Sequence, residues 1–186
     1  MASKEGSVLQ GLIEWVVALG IAVVAALLIH IFVGSPYTVP TGSMIPTIQI
    51  GDNIFAQKIS LNLGGSVEPG DIVVFKNPNA FSDHDILVKR VIAVGGDTID
   101  FQSGSVYVNG ELKEESYAAG MTEPLSAQAP GIELSYPYTL PKNTVWMMGD
   151  NREDSADSRY FGPVQRDDLI GIVIFRYWPL NRIGLI

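Results

Sequence analysis

Asp85-Ile86-Leu87-Val88-Lys89-Arg90-Val91-Ile92-Ala93-Val94 places two adjacent cations inside a run of apolar residues. Read as an extended strand, it puts Leu87, Lys89, Val91 and Ala93 on one face and Val88, Arg90, Ile92 and Val94 on the other. Two cations inside one apolar strand cannot both be ordinary surface groups. Arginine stays protonated, whereas a desolvated lysine loses its proton readily. Lowering a lysine from about 10.4 to about 8 costs its charged form about 3 kcal/mol, which burial can supply. An edge strand whose lysine reaches water along its apolar stem explains the same pattern. Spacing alone leaves both readings open.

Other segments of the same kind flank this run: Asp52–Lys58, Asp71–Lys76, Ser105–Leu112, Thr144–Asp150 and Leu169–Trp178, each rich in Val, Ile or aromatics and bounded by turn residues. Val108-Asn109-Gly110-Glu111 is a hairpin signal, because Asn-Gly accepts the positive φ angles of a type I′ turn. Gly-Asp pairs at 51–52, 70–71, 96–97 and 149–150 punctuate the strands at unequal spacing, which argues against an internal repeat. No stretch after Val33 has sustained helical periodicity, although Pro163–Leu169 can form one turn. Glu114–Pro141 carries four prolines and few paired apolar residues, so the region about 111–141 reads as a long surface insertion. The expected fold is mainly β: a compact, mostly antiparallel domain.

The 186 residues carry 12 Lys and Arg against 20 Asp and Glu, a formal charge of −8, with 47% hydrophobic and only 17% charged residues. That length allows one ordinary domain plus an appendage. The absence of cysteine excludes a disulfide framework, a thiolate nucleophile and Cys-based metal sites. The acidic balance argues against general affinity for nucleic acid. The apolar excess sits at the front, where Trp15–Val33 runs nineteen residues with His30 as its one ionisable group. This approaches the length that crosses a hydrocarbon core of about 30 Å, and its apolar residues surround the helix. A cleavable signal peptide has a shorter apolar region of about 7–15 residues and a small-x-small exit, which Gly34–Pro40 lacks. Lys4 precedes the span and no Lys or Arg follows until Lys58, which places the N-terminus in the cytoplasm. The expected organisation is a cytoplasmic tail over 1–10, a single transmembrane anchor over 11–33 and an extracytoplasmic β-domain over 34–186. Glu14 and His30 fall near the two interfaces. Without the first 33 residues the chain keeps 11 basic and 18 acidic residues, so the acidity belongs to the outer domain.

Three further clusters compete with the lysine strand for chemistry. In Pro40-Thr41-Gly42-Ser43-Met44-Ile45-Pro46-Thr47, two prolines restrict the backbone and Gly42 permits a close approach to a substrate. Ser43 is a nucleophile only if a neighbouring base takes its proton; the plain alternative is a turn leaving the membrane. Gly149–Gly162 is dense in acidic residues. It fails as a calcium loop, since Ser155 and Phe161 stand where Gly and Glu are required, and it suits a hydrogen-bonded scaffold. Asp83-His84-Asp85 holds the histidine outside the anchor and could serve a Ser-His-Asp triad, but it lies in a polar stretch that suits a solvated side chain.

Taken in order, these segments resemble type I signal peptidases, the membrane-anchored serine proteases of the Ser/Lys class. The resemblance covers nearly the whole chain: the anchor, Ser43-Met44-Ile45-Pro46-Thr47, Gly51-Asp52 through Lys58, Lys89-Arg90-Val91 through Gly96-Asp97, and Gly149 through Gly162. The last matches G-D-N-R-x-x-S-x-D-S-R-x-x-G. Departures are Ala93 where the family commonly has glycine, Gly95 where it commonly has proline, and Thr41 where many members have serine. The first two are expected to loosen the turn after the lysine strand.

The resemblance implies Ser43 as nucleophile and Lys89 as general base. It implies an oxyanion held by the Ser43 N–H and the Thr41 hydroxyl, with Ser155 hydrogen-bonding the lysine and Asp157–Arg159 as a structural ion pair. Val39, Pro40, Met44, Ile48, Leu87 and Val88 would accept the small residues before the cleavage site, with backbone pairing along both segments. It implies no cofactor and no metal. The partners would be signal-peptide-bearing preproteins, membrane lipid and, transiently, the export machinery, with no nucleic acid. The single short anchor resembles the Gram-positive form. Ten residues separate Val33 from Ser43, so the nucleophile lies within about 36 Å of the span. Met44, Ile45 and Trp178 would touch lipid or pack in the β-core. Two other readings stay open: a Ser/Lys protease with a narrow client, and an anchored β-module that binds envelope proteins without catalysis.

Overall fold

The structure is a computed structural model that describes residues 2–28, 33–78 and 84–186; His30 and Asp83 lie outside them. Helix α1, Ala2–Leu28, spans 27 residues, or about 40 Å. Its Gln10–Leu28 stretch has a mean hydropathy of 2.4 and buries nothing against the rest of the chain, and it is long and apolar enough to cross a membrane.

Among the described residues twelve strands follow: β1 Gly34–Thr38, β2 Asn53–Gln57, β3 Ile72–Lys76, β4 Ile86–Val94, β5 Thr98–Gln102, β6 Ser105–Val108, β7 Glu111–Leu112, β8 Tyr138–Thr139, β9 Thr144–Met148, β10 Val164–Gln165, β11 Leu169–Trp178 and β12 Gly184–Leu185. Eight form one antiparallel sheet in the order β1-β2-β11-β3-β4-β9-β10, with β12 added to β11; a smaller sheet runs β7-β6-β5-β8. The mainly antiparallel β expectation therefore holds.

The run that decided the reading, β4, is not an edge. It pairs with β3 on one side and β9 on the other, and Lys89 opposite Val73 is 2% exposed. The alternation expected along it holds only as far as Val91. Between Val91↔Met147 and Ala93↔Trp146 the strand carries an extra residue, and such a bulge reverses the facing of everything beyond it. Val94 therefore joins Leu87 and Val91 against Val73, Phe75 and Met147. Ile92 and Ala93 instead pack with Ile99, Phe101 and Trp146 between the two sheets. Assigning Ala93 to the lysine face was wrong, because a strict period of two cannot register the bulge.

A third cluster, Val39, Met44, Ile48, Ile54, Ala56, Ile72, Val74 and Val173, lies on the face of β3 opposite Val73 and Phe75. Met44 thus belongs to the β-core, whereas Trp178 is half exposed beside the exposed Leu180, Ile183 and Leu185. Asn109 and Gly110 take positive φ of 55° and 82°, as the type I′ turn between β6 and β7 requires. Gly95 has a packing role in the turn after β4. A Cβ there would stand 2.8 Å from the Pro141 carbonyl oxygen and 3.0 Å from the Asn143 N, so glycine admits the 141–143 backbone.

The region about 111–141 is tied down rather than lying loose on the surface. Ala119 bridges to Asn151, Thr122 is 2% exposed, Ala129 packs with Phe161, and Leu140 packs with Trp146. Arg152 donates to both Glu115 carboxylate oxygens at 2.6 and 2.8 Å and to Thr122 Oγ1 at 2.5 Å. The turn expected within 163–169 is a 3-10 turn, Arg166–Asp168.

Candidate functional site

Ser43 sits in the loop joining β1 to β2. The ends of this loop are clamped by Val39 N donating to the Asp52 carbonyl at 2.9 Å and Gly51 N donating to the Val39 carbonyl at 2.8 Å. Met44 and Ile48 anchor the loop from below, both fully buried. Asn151 ties it to the Gly149–Gly162 segment: its N donates to the Ser43 carbonyl at 3.0 Å and its Nδ2 to the Gly42 carbonyl at 3.2 Å. Thr47 Oγ1 donates to Asp150 Oδ2 at 2.5 Å. The nucleophile candidate is thus placed by backbone and carboxylate contacts on both sides.

From β4, Lys89 reaches across to Ser43, with Nζ and Oγ 2.5 Å apart. Ser43 keeps 9% of its surface exposed. Burial pushes the Lys89 ammonium down to about 8, opposed by the carboxylates of Asp157, Asp150 and Asp154 and assisted by Arg159. At pH 7 such a lysine is neutral in about a tenth of molecules, against less than a thousandth for a solvated one.

Asp157 and Arg159 form a bidentate pair at 2.9 Å for both bonds, each side chain essentially without exposure. Asp157 Oδ2 also accepts the Gly149 N–H at 3.1 Å, and the neighbouring Ser158 Oγ accepts the Met147 N–H at 2.9 Å. The pair therefore fixes the end of β9 beside Ser43. A Cβ on Gly149 would lie 2.5 Å from the Ser43 carbonyl oxygen and closer still to Ser155 Oγ, so glycine alone permits this approach. Ser155 Oγ occupies that crowded position but makes no hydrogen bond to Lys89; it has no partner among the described residues.

Two cavities meet at Ser43 and Lys89. The first, about 140 Å³, has Val39, Pro40, Met44, Leu87 and Val88 in its walls, together with Tyr37 and Ile86. The second, about 220 Å³, lies past Gly42 and is lined by Asn77, His84, Leu87, Asp154, Ala156 and Phe161. Thr41 is exposed and borders both. Ile48 borders neither; it is fully buried in the cluster with Met44 and acts as core.

Sequence reasoning missed the partner of Arg90. Its guanidinium is bidentate to Asp150, from Nε at 2.8 Å and NH2 at 2.7 Å, and lies 4.0 Å above the Tyr117 ring. The signal was present, since a cation inside an apolar strand that is not the base needs a buried acid. Asp154 and His84 at the second cavity were also missed as wall residues, because only the tertiary fold brings Asn77, His84, Leu87 and 154–161 together.

A buried amine against a hydroxyl can take the hydroxyl proton as oxygen attacks a carbonyl. An apolar recess beside it can seat a small side chain.

Comparison with known proteins gives four findings. Residues 12–178 match the family model described as signal peptidase, peptidase S26. A probable signal peptidase I-2 from Synechocystis sp. is 38% identical over 168 residues, 89% of this chain and 72% of that protein. Signal peptidase IB of Staphylococcus aureus is 34% identical over 180 residues, 92% of each chain. A crystal structure of a signal peptidase I from Enterococcus faecalis aligns with a TM-score of 0.46 at 27% identity, over 57% of this chain and 96% of that one.

Proposed function

The chain belongs to the signal peptidase family, peptidase S26, and from that premise we propose that it is a membrane-anchored serine endopeptidase of the Ser/Lys type that removes signal peptides after small residues. The observation that carries the mechanism is the 2.5 Å approach of Lys89 Nζ to Ser43 Oγ in a buried setting.

In this reading neutral Lys89 accepts the Ser43 proton while Oγ attacks the scissile carbonyl. The oxyanion is held by the Ser43 N–H and the Thr41 hydroxyl, donors aimed at charge that develops in the transition state. The Lys89 ammonium then protonates the departing amine, leaving an acyl ester on Ser43. Water, deprotonated by the same lysine, hydrolyses that ester. Asp157–Arg159 and Arg90–Asp150 keep the segments carrying the pair in register. Residues before the cut pair with the 37–40 and 86–88 backbone and place a small side chain in the first cavity. Helix α1 anchors the protein with its N-terminus in the cytoplasm and the β-domain outside. The anchor raises the local concentration of membrane-bound preproteins, which are the substrates.

Full-length chain in detergent, incubated with a purified preprotein, is expected to release a mature product whose first residue follows a small residue at the end of the signal segment. N-terminal sequencing of the product checks this. An intact preprotein, or a cut after a bulky residue, contradicts the reading.

A further inference from the structure

We propose that Asp154 reads the residues immediately after the scissile bond and disfavours acidic ones. This deepens the signal-peptidase reading above and rests on it. The acyl half of a substrate, seated in the first cavity, leaves the second as the path for the half that departs, since the two cavities meet at Ser43. His84 borders both cavities; the second differs in adding the Asn77 amide and the Asp154 carboxylate to its wall.

Asp154 stands beside the nucleophile's own neighbour. Its Oδ2 lies 3.9 Å from where a side chain on Gly42 would begin. The other acidic side chains of the 149–162 segment, and Glu115 against it, have partners. Asp150 is held by Arg90, Asp157 by Arg159 and Glu115 by Arg152. Glu153 Oε1 accepts the Met121 N–H. The Asp154 carboxylate is exposed and accepts no hydrogen bond among the described residues. Its charge acts on the Lys89 ammonium through space, and with no hydrogen-bond donor upon it among those residues, it also faces whatever enters the second cavity. A second carboxylate brought within a few ångströms meets like charge at a partly wet wall, an effect of about five-fold in rate that weakens with salt. A neutral or basic residue there, and the ammonium released by the cleavage, meet opposite or no charge.

The test uses full-length chain in detergent at low salt. Its substrates are synthetic signal-peptide substrates identical up to the cut, with Gln, Glu or Lys at the first or second residue after it. Wild type is expected to cleave the Glu substrates about five-fold less efficiently than the Gln ones, by kcat/KM. Asp154→Asn is expected to bring the two within about two-fold, and Asp154→Lys to invert the order. Glu153→Gln removes a neighbouring carboxylate directed away from the cavity and is expected to keep the wild-type ratio. Equal cleavage of Gln and Glu substrates by wild type, or a Glu penalty unchanged in Asp154→Asn, overturns the proposal. If wild type cleaves none of the substrates, the failure belongs to the signal-peptidase reading itself.

Discussion

Lys89→Met is expected to lower kcat/KM for a signal-peptide substrate by about 10⁴-fold, with Ser43→Ala silent to a similar degree. The double variant is expected to be no worse than either single one, because the two groups act as a unit. The lysine change also has a stability sign. Its pKa falls from 10.5 in the solvated state to about 8 in the fold, mainly by burial. Below pH 8 the folded chain therefore carries the full cost of holding the ammonium out of water, about 3 kcal/mol. That cost fades as pH rises from 8 towards 10.5. Methionine fills a similar volume without charge, so Lys89→Met at pH 7 is expected to melt at or above the wild-type temperature while losing activity. Cleavage assays paired with thermal unfolding check both halves. A Lys89→Met chain retaining a tenth of wild-type activity contradicts the base assignment.

The second large effect concerns Asp157. Replacing it with alanine leaves the Arg159 guanidinium buried without its counter-ion and removes the acceptor of the Gly149 N–H. Breaking one side of such a pair costs about 3–5 kcal/mol, which lowers Tm on the order of 10 °C in a chain of this size. Gly149 lies against the Ser43 carbonyl, so activity is expected to fall further than stability alone requires when both are measured well below Tm. A Tm within about 2 °C of wild type would show that the pair does not hold the site.

How far the sequence reached depended on whether a feature was local. The turn at Asn109-Gly110, the strands and the long apolar helix follow from neighbouring residues, and the structure carries all of them. Glycine, prolines and a cation in an apolar strand marked Ser43 and Lys89 as candidates, but only the family resemblance chose between the chemical and the plainer readings. The bulge in β4 was not legible, since it arises from register with β9 rather than from the run itself. The family resemblance implied Ile48 as a cavity wall, but the loop turns it into the core. The docking of 111–141 also escaped pattern reading, because single residues such as Thr122 and Ala129 do the anchoring, without periodicity. Arg90 and Asp150, sixty positions apart, meet only through the pairing of β4 with β9.

The central claim is that Lys89 is the base for Ser43. The dependence of kcat/KM on pH, from about pH 6 to about pH 10 for full-length chain in detergent, tests it most directly, since it reports the pKa of the free enzyme's essential groups. The account predicts a rising limb, close to ten-fold per pH unit, that levels near the value of about 8 set by burial of Lys89. A flat profile across that range, or a limb that keeps rising to the pKa of a solvated lysine, would contradict it.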